Sequence, residues 1–460
     1  MSAWRVGILA LGMIAAACVP SSSVPESDAG TLATVTTAAA VTVPSTVVGA
    51  EAIYERVAPS LAYVETSMSS GSGVLLSGGR LLTAAHVVWP FDEVRVFFPD
   101  GTTISDARVI GTDLVADLAL IDLGDPAGLP PAAPLGLGTE LNTGAIVYQI
   151  GFPAEIEEFP EAAISSGIVS RKRYWESFDW TFVQSDAPLA GGQSGGALVS
   201  QDGQVVGITN FLFGGVFGLS AEISAVMDRV ALMGDAANLE DLVGRYPPRA
   251  GERTTEAEIA LDHFFDQQIW VIDEQVGTDV VVEARTNNVS WMVALAADGF
   301  WEASSVENDA LAHLLEFTVS LEGPLFLIAG SGSLGEVTGT IESSVPMVEW
   351  IDVDDGLPLV SGDTYFGNID VAGETDWYVI DLQQNQAVTI EVDALGFDPT
   401  LSIDSTENSG EPLAVDFDSG RGFFGWNPRV VFTAPITGQY LIAVEDVDST
   451  GPGGYFITVE

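Results

Sequence analysis

The pattern of hydrophobic and polar positions divides the chain before any motif is considered. From Val6 to Ala17 the residues are almost all apolar and follow a single cation, Arg5; the run is too short to span a bilayer and has the shape of a secretory signal. From Val19 to about Ala50, Ser, Thr, Ala, Val and Pro follow one another with almost no charge and no sustained period. Such a stretch cannot bury enough surface to fold and reads as a flexible tether. Residues 51–245 alternate short apolar segments with Gly, Asp and Pro turns, among them GSGVLLSGG, RLLTAAHVV, EVRVFFPDG and AIVYQIGFP. Many short strands at regular spacing predict barrels or a sandwich, and a helix from Ala221 to about Met233 closes the region. YPPRAGERTT, Tyr246 to Thr255, combines Pro, Gly and charge and marks a linker. Beyond it, Val388, Ile390 and Val392 alternate with Thr389, Glu391 and Asp393, and Tyr455, Ile457 and Val459 alternate likewise, as half-buried strands require.

The last two hundred or so residues also repeat. Trp270 to Ala284, WVIDEQVGTDVVVEA, aligns without gaps on Tyr378 to Val392, YVIDLQQNQAVTIEV. EFTVSLEGPLFLIA, from Glu316, parallels VFTAPITGQYLIA, from Val431, with one insertion. The expectation is a tandem of two related β-sandwiches, 246–345 being the degenerate copy and 346–460 the clearer one.

Composition narrows what such a chain can do. At 460 residues it is too long for one core. Its 65 acidic residues against 15 basic ones give a net charge of −50, which repels phosphate and excludes nucleic acid as a partner. The same excess keeps a protein soluble at high salt, where self-repulsion is screened. The charge is uneven: residues 51–245 carry a net −16 and residues 246–460 a net −33. The basic triplet Arg171, Lys172 and Arg173 stands apart, and it reads as a solvated loop. Cys18 is the only cysteine, so no internal disulfide forms. It ends the AAAC that closes the signal, and this resembles a bacterial lipobox with Ala15 where leucine is usual. That resemblance implies a lipoprotein anchored to the membrane through acyl chains at Cys18, extracytoplasmic in the cell envelope, or secreted if the lipobox is not used.

The candidate chemistry lies in AGGQSGGALV, Ala190 to Val199. A glycine-flanked serine alone is also what an ordinary hairpin loop looks like. As a nucleophile, Ser194 would need a base, and His86, in TAAHVV, is the only histidine before the linker. The imidazole would in turn need an acid to orient it and to stabilise its charged form. Asp117 in VADLALIDL fits, since a carboxylate among apolar residues requires a buried partner. Asp113 and Asp122 are alternatives, with Asp113 resembling a turn residue.

With GSGVLL, TAAHVV, DLVADLALIDL, GFP, SSGIVS, VQSDAPLAGGQSGGALV and GQVVGITNF occurring in that order, residues 51–232 resemble the catalytic domain of the trypsin-like HtrA (Deg) serine proteases. The resemblance implies an all-β fold, a chymotrypsin-like double β-barrel, ahead of the two jelly-roll-like sandwiches. It implies His86 as general base, Asp117 as orienting acid, Ser194 as nucleophile, and the N–H groups of Gly192 and Ser194 as the oxyanion hole. Two positions depart from the family: Gln193 replaces the usual asparagine and is expected to contribute mainly backbone, and Ala197 replaces a proline. Pro188 stands where a basic-residue pocket would need an aspartate, and Gly214, Gly215, Val216 and Gly218 fall near the pocket wall; a small or medium apolar P1 residue is expected. No PDZ-like loop follows. DWY, DPTL and TGQY in the last segment resemble instead the bacterial pre-peptidase C-terminal (PPC) domain. No cofactor is needed for this chemistry. Calcium on the C-terminal domain could use Asp363, Asp370, Asp376, Asp398, Asp404, Asp416 and Asp418, although no EF-hand spacing is present and a solvated acidic surface is the plainer reading. His263 and His313 are read as structural. The partners expected are protein or peptide substrates and an envelope or polymer ligand of the sandwiches. The competing reading is a cell-surface binding protein with a latent protease-like domain.

Overall fold

The computed structural model describes residues 49–460 apart from 68, 125–126, 138, 155–160, 214–216, 234–252, 297–300, 305–310, 332–335, 353–354, 395, 406–411, 421–426 and 448–452, and the described residues belong to one compact unit. After a short helix, α1 (Ala50–Val57), six antiparallel strands close a first barrel: β1 (Leu61–Glu65), β2 (Ser70–Leu76), β3 (Arg80–Thr83), β4 (Glu93–Phe97), β5 (Thr103–Asp113) and β6 (Leu118–Asp122), in the order β1-β2-β3-β6-β5-β4. Between β3 and β4 lies one helical turn, α2 (Ala85–Val88). A second closed barrel follows from β7 (Ile146–Gly151), β8 (Ala163–Trp175), β9 (Trp180–Ser185), β10 (Ala197–Ser200), β11 (Val205–Phe213) and β12 (Phe217–Glu222), in the order β10-β11-β12-β9-β8-β7. The helix α3 (Ile223–Met233) closes it, two residues later in starting than the sequence pattern placed it. The expected double barrel of chymotrypsin type is thus present.

The burial pattern explains why some of these strands read as continuous apolar runs. In β6, Leu118 and Leu120 enter the core shared with the second barrel, where they join Ile150, Phe182, Val199 and Ile208. Ala119 and Ile121, on the opposite face, enter another core with Ile269, Phe326, Ile328 and Trp350 of the first C-terminal sheet. A strand covered on both faces has no solvent side on which to place polar residues.

The C-terminal strands build two further units. The first contains β13 (Thr254–Leu261), β14 (Gln267–Ile272), β15 (Asp279–Thr286), β16 (Ser290–Ala296), β17 (Trp301–Ser304), β18 (Ala312–Thr318), β19 (Leu325–Ser331) and β20 (Val337–Trp350), in the order β17-β16-β19-β14-β20-β15-β18 with β13 also on β20. The long β20 pairs with β15 through its first half and with β14 through Met347–Trp350, and it runs across positions 345–346, where the sequence set the boundary between the two copies. The second unit contains β21 (Leu357–Pro358), β22 (Thr364–Ile369), β23 (Thr375–Leu382), β24 (Ala387–Ala394), β25 (Pro399–Ser405), β26 (Ala414–Asp416), β27 (Arg429–Thr433), β28 (Gly438–Asp446) and β29 (Gly453–Val459), arranged as sheets β21-β23-β28-β25-β26 and β22-β29-β24-β27. The pairings correspond strand for strand: β17-β16-β19-β14 matches β26-β25-β28-β23, and β13-β20-β15-β18 matches β22-β29-β24-β27. Among the described residues no helix is long and apolar enough to cross a membrane.

Candidate active site

His86 sits in α2, which begins directly after β3, and Asp117 sits in the tight turn between β5 and β6. That turn puts Asp117 in the left-handed region, φ 50°, a conformation costly for most side chains and easier for aspartate. The turn is held by Asp113, whose carboxylate accepts from the Ala116 N–H at 3.0 Å and pairs with Arg229 of α3 at 2.5 Å. Asp117 is 4% exposed and both its oxygens lie 2.9 Å from His86 Nδ1. The carboxylate also accepts from the His86 backbone N–H at 3.0 Å and from Asn210 Nδ2 at 3.2 Å. The His86 side chain is 41% exposed, yet desolvation by the protein around it works against the charged imidazolium; the charge of Asp117 and its hydrogen bond more than offset this and hold His86 above the ordinary histidine value. The alternatives for the acid are occupied elsewhere: Asp113 by Arg229, and Asp122 by Arg80, its partner on the neighbouring strand β3.

Asn210, on β11, was not singled out from sequence. Its side chain donates to the Asp117 carbonyl oxygen at 2.8 Å and accepts from the Ala221 N–H at 3.1 Å, tying the Asp117 turn to the second barrel. Its own carbonyl faces Ser194 Oγ at 3.5 Å, the one hydrogen bond of that hydroxyl among the described residues. A polar residue interrupting the apolar run VVGITNF was the available signal.

The Ser194 loop needs its glycines for space as well as torsion. Gly192 has φ 86°, and a Cβ there would lie 2.3 Å from the Ala154 nitrogen; Gly195 has φ 79°, and a Cβ would lie 2.1 Å from the Ser72 carbonyl oxygen. The Gly195 N–H donates to the Thr209 carbonyl at 2.7 Å, and the Ser72 N–H donates to the Ser194 carbonyl at 2.7 Å. Among the described residues, the N–H groups of Gly192 and Ser194 donate to no protein acceptor. Gln193 does more than supply backbone: its side chain is buried and Oε1 accepts from the Ala190 N–H at 2.8 Å, closing the loop on itself.

Of the remaining expected positions, Pro188 is exposed, with its carbonyl accepting from Ser165 Oγ at 2.6 Å. Gly218 lies opposite Ser185 on neighbouring strands, and Leu189 Cδ2 is 3.7 Å from where its Cβ would stand. Gly214, Gly215, Val216 and Cys18 lie outside the described residues. The basic triplet lies on β8 rather than in a loop, with Lys172 paired to Glu222 at 3.1 Å and Arg173 donating to Gln184 at 3.0 Å. His313 bonds Ser290 Oγ at 2.8 Å, and His263 lies edge-on to Trp377 at 4.1 Å with burial lowering it to about 4. The described residues able to group around a metal ion are Asp352, Asp355 and Asp376, whose oxygens lie within 4.8 Å of one another. Of the aspartates noted from sequence, only Asp376 belongs to this group.

Comparison with known proteins gives matches to serine proteases. A family model described as a trypsin-like peptidase domain matches residues 71–208. Serine protease HTRA1B of Danio rerio is 34% identical over 173 residues, covering 34% of this chain and 35% of its own. A probable periplasmic serine endoprotease DegP-like of Pseudomonas fulva (strain 12-X) is 37% identical over 170 residues, covering 35% of this chain and 34% of its own. The solved structure of the HtrA-type protease AlgW with a decapeptide is similar over 40% of this chain and 67% of its own, at 24% identity and a TM-score of 0.36. The chain therefore spans about a third of the length of these two curated relatives.

Proposed function

We propose, from the premise that residues 71–208 are a trypsin-like serine protease domain of HtrA/DegP type, that this chain is a serine endopeptidase whose working residues are His86, Asp117 and Ser194. The observation that carries the reading is the Asp117 carboxylate, buried and 2.9 Å from His86 Nδ1, with the His86 backbone N–H held by the same oxygen. That bond fixes the tautomer in which Nε2 is the free base. Nε2 takes the Ser194 proton as Oγ attacks the scissile carbonyl, and the imidazolium so formed is stabilised by Asp117. The tetrahedral oxyanion is received by the N–H groups of Gly192 and Ser194. Collapse expels the amine, which leaves with the proton from His86; water, deprotonated by the same nitrogen, then hydrolyses the acyl-enzyme.

The substrates are proteins, cut after small or medium apolar residues, because neither Pro188 nor Gly218 with its neighbour Leu189 offers a charge to a basic side chain. Cys18 carries the lipid anchor of an extracytoplasmic lipoprotein, and the C-terminal units are PPC-like sandwiches that bind substrate or envelope material. Peptide-library profiling tests the specificity: cleavage after Ala, Val or Leu is expected, lost in Ser194→Ala, and cleavage confined to Arg or Lys overturns it. Replacing Cys18 by Ser should release the protein from membranes; unchanged fractionation removes the anchor from the account.

One observation favours the second reading, a binding protein with a latent protease domain: the hydroxyl of Ser194 is turned to the Asn210 carbonyl. Under that reading the wild-type chain hydrolyses no peptide in the library and binds envelope material as well as Ser194→Ala does.

A further inference from the structure

Both segments that carry the candidate acid and base have their backs to the C-terminal sheets. The base is on α2, and the residue capping α2 is Trp89. Its indole is buried, donates from Nε1 to the Asp370 carbonyl oxygen at 2.8 Å, and meets Trp350 edge-on at 6.3 Å. Trp350 ends β20 and itself donates to Asp370 Oδ2 at 3.2 Å, so one aspartate at the exit of β22 joins the base's helix to both C-terminal units. On the acid's side, Val115 is 1% exposed and packs against Gly454 of β29. A Cβ at Gly454 would lie 2.5 Å from Val115 Cγ2 and 3.0 Å from the Val115 nitrogen, so β29 touches the chain two residues before Asp117 with no room to spare. The same face continues through Phe456, which meets Trp175 and Phe178 at 5.8 and 5.9 Å, and through Trp175 Nε1, which donates to Asp393 Oδ2 at 2.7 Å. Phe178 lies under the guanidinium of Arg229, the partner of Asp113 in the acid's turn.

Packed interiors transmit small displacements, because side chains in contact at this density have no slack to absorb them. We infer that the second C-terminal sandwich is a positioning element of the active site, acting through Trp89 on the base's helix and through Val115 on the acid's turn, so that the His86–Asp117 pair keeps its alignment only while β22 and β29 are seated. Trp89 and Val115 are positioning residues on this account: neither touches substrate, and each acts through its neighbour. The inference rests on the proposed roles of His86 and Asp117. It gives the sandwich a function beyond capture of a ligand, since an enzyme built this way loses turnover when the sandwich shifts, even on a short peptide that reaches no binding surface of the sandwich.

The test enlarges Gly454 in the full chain. Gly454→Ala adds the single Cβ that meets Val115, and Gly454→Leu adds more. The expected result is a fall in kcat of about tenfold or more on a short peptide with KM little changed, since misplacement by an ångström costs on the order of 10²-fold. The acid limb of the kcat–pH profile should move towards the value of a free imidazole as Asp117 loses its hold. Val115→Ala combined with Gly454→Ala should recover part of the turnover, because it removes the methyl that the new Cβ meets; a variant that had merely lost stability would not be rescued by deleting more of the core. Trp89→Phe, which keeps an aromatic ring and removes the donor to Asp370, should reproduce the pH shift in milder form. The His86 Nδ1 proton resonance and its titration by NMR read the same coupling without any turnover. Wild-type protein with a titrating His86–Asp117 pair but no hydrolysis sinks the peptidase reading and leaves the inference intact. Gly454→Ala and Trp89→Phe proteins that fold, with wild-type kcat and an unmoved His86 titration, overturn the inference.

Discussion

At the scale of single residues, the unit that matters is a carboxylate with three donors. Asp117 accepts from His86 Nδ1, from the His86 backbone N–H and from Asn210 Nδ2, and a buried carboxylate so satisfied is a fixed charge rather than a mobile one. Replacing it by Asn reverses the demand on Nδ1 and should lower kcat by about 10⁴ while leaving KM nearly unchanged. Because Asp117 raises His86, the base is neutral only above the ordinary histidine value: kcat/KM should climb with pH through a midpoint above 6.5, and Asp117→Asn should bring that midpoint down. The sign for stability is opposite to that for activity. A histidine raised in the folded state contributes stability that is fully present below its unfolded value and lost as pH rises through the folded one, so the pair should stabilise the fold most on the acid side, where it is inactive. Asn210→Ala leaves the Ala221 N–H and the Asp117 carbonyl without their partner, and should cost about 1–3 kcal/mol in denaturant unfolding as well as turnover.

At the scale of elements, Ser194, His86 and Asp117 could be proposed from the sequence because each lies in a short stretch whose neighbours are dictated locally: glycines where a Cβ would strike backbone, and a turn residue able to adopt a positive φ. What could not be read was the second burial surface. The apolar runs in VLLSGGRLL and LALIDL announce strands, yet period alone cannot say that Leu82 and Leu120 face one core while Leu81 and Ile121 face another shared with Trp350. The role of the Gln193 side chain was equally hidden, since its partner is a backbone N–H three residues earlier in a non-repetitive loop. Leu81→Ala removes a fully buried side chain from the core between the first barrel and β14, β19 and β20, and should cost about 2–5 kcal/mol in denaturant unfolding. If β14–β20 fold as a separate module with little hold on the barrel, the loss will be much smaller.

At the scale of the whole molecule, two properties act together: a net charge of −50 and a continuous set of cores running from the barrels into the sheets that follow. Self-repulsion on this scale is screened as ionic strength rises, so the melting temperature should increase between 0.1 and 1 M salt, as the Debye length falls from about 10 to 3 Å; a flat or falling curve would show that exposed ion pairs outweigh the repulsion. The corresponding strand orders of the two C-terminal units were foreshadowed by the aligned WVID and YVID segments, which lie on β14 and β23, whereas their packing against the barrels left no repeat or motif to read. The account as a whole stands on one nucleophile activated by one base. Incubation with a fluorophosphonate at neutral pH, followed by mass mapping of the adduct, tests it directly: a single phosphonyl group on Ser194, absent from Ser194→Ala and formed far more slowly in His86→Ala, is the expected result. Well-folded wild-type protein that takes up no label at Ser194, or labels equally fast without His86, contradicts it.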